Sequence, residues 1–239
     1  MKALSKLPSK RYDLIFSAGA ACPCTDLLRS LNLQDWSYPF DWVFGSDFSS
    51  RCEYLLNDFQ GWFEKDDFKL LEPTSVSKHS VWVNKKTGII YNHDFKEYST
   101  DINDSYAAVR AKYDRRCGRL LSSLKSAGRI AMVYIDRPDK NNPTACVDEI
   151  VRMRKVMCTK FPRKHYFDIY YVHHDASVEV PVIKELAHGV FYITLNYHAA
   201  GAEDWAVDLS RLRPIFAGMK LRHPLMWHVY RIIKRMCRR

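Results

Sequence analysis

Arg129-Ile130-Ala131-Met132-Val133-Tyr134-Ile135, Phe167-Asp168-Ile169-Tyr170-Tyr171-Val172 and Val190-Phe191-Tyr192-Ile193-Thr194-Leu195 are the three stretches whose reading decides the fold. Each is dense in β-branched and aromatic residues, which fit a pleated, buried surface. Helical patterns lie between them, over Cys146 to Phe161 and Val180 to Leu186. Strands that alternate with helices predict an open, mostly parallel sheet covered on both faces. Working outward, Tyr12-Asp13-Leu14-Ile15-Phe16 reads as a further short buried strand, ended by the turn Ser17-Ala18-Gly19-Ala20-Ala21-Cys22 and followed by a helix over Thr25 to Leu33. Ser75 to Tyr91 alternates apolar and polar residues on either side of Asn84-Lys85-Lys86-Thr87-Gly88, the signature of a hairpin. Asp104 to Ala127 is helical in pattern, with Gly128 as its stop. The expected fold is therefore α/β: an open, mostly parallel sheet with helices on both faces, an inserted β-hairpin and a C-terminal amphipathic helix. Residues 1–218 form one domain in this reading, and residues 219–239 a basic helix.

The 239 residues, 47% hydrophobic and 13% aromatic, suit one well-packed globular core. No apolar run matches a signal peptide or a membrane span, so a cytoplasmic location is expected, with a peripheral place on the inner face of the membrane where the C-terminal helix contacts it. Seven cysteines without paired CxxC spacing imply neither a disulfide framework nor a metal site, and no cofactor is implied. The net charge of +10 is concentrated: nine of the 37 basic residues follow Asp208, leaving 28 against 27 acidic residues in the body. The field belongs to the tail, which argues against a nucleic-acid partner.

In an open parallel sheet, ligands bind at the carboxyl ends of the strands. The polar residues that follow each strand are Ser17 and Cys22, then Asp136 and Arg137, then His173, His174 and Asp175, then Asn196 and His198. Cys22 falls at or near a helix N-terminus, where backbone N–H groups and the helix dipole favour an anion, so a lowered thiol pKa is expected there. The same N–H groups at the Gly19 turn suit an oxyanion or a phosphate. The alternative for Cys22 is a small buried hydrophobe. Arg115, Arg116 and Arg119 lie on one predicted helix, Arg115 and Arg119 sharing a face, and guanidinium pairs suit phosphate or carboxylate substrates. Asp41, between Phe40 and Trp42, is costly to bury without hydrogen bonds, so it either caps a turn or serves the site.

Ser17-Ala18-Gly19-Ala20-Ala21-Cys22, the helix behind it, Pro39-Phe40-Asp41-Trp42 and His93-Asp94-Phe95 together resemble a bacterial family of uncharacterised proteins named as papain-like cysteine peptidases. Lys112 to Arg119 matches that family's Arg-rich helix. The sequence departs from the pattern at Ala18, where leucine is usual, and by the added Cys24. The resemblance implies Cys22 as nucleophile, His93 as its base, and Asp41 or Asp94 as the residue that orients the imidazole. The sheet-edge argument gives His198 or His174 as a competing base. It also conflicts with the papain architecture, in which the cysteine lies on a helix packed against an antiparallel barrel.

The expected function is a Cys22-dependent hydrolase or acyl-type transferase acting on a peptide or acyl substrate. The alternative, which the resemblance implies through neighbouring surface-polysaccharide genes, is a glycan-modifying transferase that binds a phosphorylated donor through Ser17, Gly19 and the arginines. From Pro224 onward, apolar residues recur at helical spacing opposite Arg231, Lys234, Arg235 and Arg238, so residues 224–239 are expected to contact an anionic membrane surface.

Overall fold

Cβ atoms alternate across a strand, so a strand apolar at every position can feed two cores at once, and residues 130–135 do this. The computed structural model describes residues 2–4, 6–72, 78–137, 144–161, 166–198 and 207–222. The elements in chain order are β1 (Lys2–Leu4), β2 (Arg11–Tyr12), β3 (Leu14–Ser17), α1 (Pro23–Ser30), β4 (Val43–Phe44) and α2 (Phe48–Leu56). Then come β5 (Phe68–Glu72), β6 (Val81–Asn84), β7 (Ile90–Tyr91), α3 (Tyr106–Ser126), β8 (Arg129–Ile135) and α4 (Val147–Lys160). β9 (Tyr166–His174), β10 (Val182–Ala187), β11 (Val190–Leu195), α5 (Leu209–Phe216) and β12 (Lys220–Leu221) complete the series.

The main sheet has the order β1-β10-β11-β9-β8-β3. β3, β8, β9 and β11 run parallel, with Phe16 opposite Met132 and Val133 opposite Tyr170, while β10 and β1 add an antiparallel edge. Ala131, Val133 and Ile135 of β8 pack with Leu27 and Leu28 of α1 and Leu212 and Phe216 of α5. Ile130, Met132 and Tyr134 face the opposite core, with Phe48 and Leu55 of α2, Tyr113 and Leu120 of α3, and Ile150 and Met157 of α4. Helices thus cover both faces, as expected. The inserted hairpin β6–β7 belongs to a second, antiparallel sheet of order β4-β7-β6-β5, whose Val43, Trp82 and Tyr91 join the larger core.

Val180 to Leu186 is not helical; Val182–Ala187 forms β10, paired antiparallel with both β11 and β1. Gly189, at φ +74°, closes a tight turn between β10 and β11, and that turn makes a hairpin of what an αβ unit would otherwise have been. The helix expected over residues 219–239 does not begin as one: Lys220–Leu221 form β12, paired parallel with β2, and residues 223–239 lie outside the described residues. Among the described residues no helix is long and apolar enough to cross a membrane.

Candidate functional site

The turn after β3 prolongs the parallel ladder before it leaves the sheet: Ala18 N–H donates to Val133 O at 2.8 Å and Ala20 N–H to Ile135 O at 3.0 Å. α1 then starts with Cys22 as its N-cap residue and Pro23 in its first turn, where the missing N–H costs nothing. Gly19 lets the helix come this close, because a Cβ there would stand 2.4 Å from Cys24 Cβ. Ser17 is fully buried; its N–H donates to Gln34 Oε1 at 3.1 Å and its Oγ accepts from Gly19 N–H at 3.4 Å. Ser17 and Gly19 thus shape the turn from within. Cys24 is buried and donates to Val133 O at 3.3 Å, whereas Cys22 is half-exposed. The six described cysteines are all free thiols.

The expectation of a lowered Cys22 pKa is corrected. Burial, then the Asp26 carboxylate, and more weakly that of Asp94 push the thiol up to about 12. Its own backbone N–H and the Arg51 guanidinium oppose them without prevailing. Cys22 is therefore a thiol at neutral pH, and nucleophilic use of it requires a base.

Asp94 is buried against α3, where it pairs with Lys112 and accepts from Tyr113 Oη at 2.8 Å. It acts electrostatically on both Cys22 and its exposed neighbour His93. Partial burial holds His93 below its ordinary value, so it is a neutral imidazole at pH 7. Asp94 is thus within electrostatic range of Cys22, while its effect on His93 is that of a chain neighbour. Among the described residues, no hydrogen bond joins Cys22 Sγ to a histidine.

Asp41 has a different setting. It is fully buried and accepts from Tyr38 N–H at 2.8 Å, Thr25 Oγ1 at 3.0 Å and Gln34 Nε2. Burial raises its pKa to about 6, against the pull of these bonds and of Arg29 and Arg116. It ties the Pro39-Phe40-Asp41-Trp42 loop to α1 rather than touching His93. Arg116 reaches the Asp41 carbonyl at 3.5 Å, and Arg119 donates to Ser37 O at 2.8 Å with its guanidinium 5.1 Å from the Trp36 ring centroid. Both clamp α3 to the same loop, while Arg115 is exposed.

A second cluster stands at the carboxyl ends of β8, β9 and β11. Buried Asp136 accepts from His173 Nδ1 at 2.8 Å, Thr144 Oγ1 at 3.2 Å and Tyr171 Oη at 3.3 Å, and its carbonyl accepts from Tyr197 Oη. The hydrogen bond to Asp136 raises the His173 pKa, whereas burial lowers that of His174. The His198 ring lies 4.2 Å from that of His174, so the competing base belongs to this cluster. Between the cluster and the Cys22 turn, a cavity of about 10 Å³ is lined by Ala21, Pro23, Asp136 and Tyr197, room for one water at most. Among the described residues, no group of three His, Cys, Asp or Glu is placed to hold a metal ion.

A half-buried thiol stands on a strand-turn-helix corner at the carboxyl edge of a mostly parallel sheet, in a chain of the α/β class. More specifically, the chain belongs to the family "Putative papain-like cysteine peptidase (DUF1796)", whose pattern it matches over residues 13–177. It is also similar to the "Uncharacterized protein R408" of Acanthamoeba polyphaga mimivirus, at 24% identity over 154 residues, covering 58% of this chain and 68% of that protein. No solved structure matches it at a significant level.

Proposed function

We propose that the chain is a cysteine-dependent hydrolase in which Cys22 attacks an acyl carbonyl and His93 serves as base. The observation that carries this reading is the place of Cys22, a half-buried thiol at the N-cap of α1 on the carboxyl edge of the parallel strands, with Asp94, the chain neighbour of His93, in electrostatic range. With the thiol protonated and the imidazole neutral, the resting site holds no thiolate–imidazolium pair. The proton moves from Sγ to the imidazole as the S–C bond forms. The imidazolium then protonates the leaving group, and water activated by the same imidazole cleaves the thioester. An acyl-type transferase differs only in the acceptor that replaces water.

A peptidyl acyloxymethyl ketone tests this, because its adduct can be located by peptide mass spectrometry. The expected result is modification of Cys22, abolished in Cys22→Ala and slowed about a hundredfold in His93→Gln. Plain iodoacetamide should label Cys22 slowly at pH 7 and faster as the pH rises toward 12, following the thiolate fraction. Adducts confined to Cys146 or Cys158 would refute the assignment. A non-catalytic reading, in which the same turn only binds a phosphorylated glycan, makes the opposite forecast: Cys22→Ala leaves binding intact. Membrane contact by residues 224–239 stands as a separate proposal: deleting them should abolish co-sedimentation with anionic vesicles.

A further inference from the structure

Beside the Cys22 turn lies a cleft of about 540 Å³, lined by Ala20 of that turn, Phe44, Ser46, Lys86, Ile90 and Arg137. Its floor is formed where the loop after β4 meets the hairpin turn. A Cβ on Gly45 would come within 2.3 Å of the Gly88 carbonyl oxygen, and Gly45 N–H donates to Ala20 O at 3.1 Å. The floor is thus fastened directly to the turn that carries Cys22.

The charges around the cleft are mostly positive. Lys86 and Arg137 line it, and Arg51, fully buried, donates from behind to the Gly45 carbonyl. The Nε and Nη1 of Arg51 have no hydrogen-bond partner among the described residues, so its charge is poorly compensated. Asp47 also lines the cleft, but its two oxygens are committed to Ser50 N–H at 2.8 Å and Ser50 Oγ at 3.1 Å, capping α2. Ser46, only 5% exposed, has a hydroxyl without a partner among the described residues. A buried hydroxyl without a partner is costly, and a ligand that accepts its hydrogen bond recovers that cost. Phe44 and Ile90 supply apolar wall.

We infer that this cleft is an oxyanion subsite: it seats a phosphate or carboxylate carried on an apolar part of the substrate, between Lys86 and Arg137 and over the Ser46 hydroxyl. Its role in placing a substrate beside Cys22 rests on the hydrolase reading; the binding itself does not.

Calorimetric titration of the full chain with inorganic phosphate and, separately, with glutarate tests the inference. Both wild type and Cys22→Ala should bind at least one probe saturably and with equal affinity. A Lys86→Ala/Arg137→Ala double variant should weaken binding about tenfold or more, and Ser46→Ala about threefold, each with an unchanged circular dichroism spectrum. Tighter phosphate binding assigns a phosphorylated substrate, and tighter glutarate binding an acidic acyl or peptide one. Absence of saturable binding to either, or binding that folded Lys86→Ala/Arg137→Ala retains in full, overturns the subsite. Loss of the Cys22 adduct chemistry with anion binding intact overturns only the hydrolase.

Discussion

Asp41 and Arg51 are both fully buried charges, and they are held in opposite ways. Asp41 collects three donors from three points of the chain, at Thr25, Gln34 and Tyr38. Arg51 has one acceptor, the Gly45 carbonyl, and a ring face, with its guanidinium carbon 5.1 Å from the Phe40 ring centroid; two of its nitrogens find nothing among the described residues. A saturated buried charge fixes a loop. An unsaturated one keeps electrostatic potential available for what comes next to it.

Breaking the saturated side should have the largest effect. Asp41→Ala strands several buried donors at once and is expected to cost about 4 kcal/mol in urea unfolding. Acid should then act on the same residue in the other direction. Because the carboxyl has a raised folded-state pKa of about 6, ionised Asp41 costs stability at neutral pH, and that cost is relieved as pH falls from about 6 toward its ordinary value. Wild type is expected to gain about 2 kcal/mol on Asp41→Asn between pH 7 and pH 4, measured as the difference in urea midpoints. Thr25→Val, which removes one donor of the three, should cost about 1 kcal/mol. The smallest stability change belongs to Arg51→Met: exchanging a poorly compensated buried cation for an apolar side chain should leave stability within about 1 kcal/mol of wild type, while reducing oxyanion binding in the cleft. If Arg51→Met unfolds as readily as Asp41→Ala, the two charges are held alike and the comparison fails.

The same two residues show what could be read beforehand. The parallel core is legible because β8 and β11 are apolar or aromatic at nearly every position, and the Cys22 turn is legible because a glycine-containing turn follows a strand. β10 was misread because a six-residue segment is too short for periodicity to separate helix from strand, and its pairing with β1 is a long-range event. Asp41 stood out by its aromatic flanks, but nothing local said which groups would bond it. Arg51 was passed over, although Phe48, Arg51, Cys52 and Leu55 share the spacing of one buried helix face, which places a cation on the inside. The sign of the Cys22 shift follows first from burial, which only the fold creates, then from Asp26, four residues on and visible in the sequence, and more weakly from Asp94.

That shift has a consequence for the lifetime of the protein. Peroxide attacks thiolates far faster than thiols, so a cysteine flanked by the Asp26 and Asp94 carboxylates resists conversion to sulfenic acid more than its half-exposed position would allow.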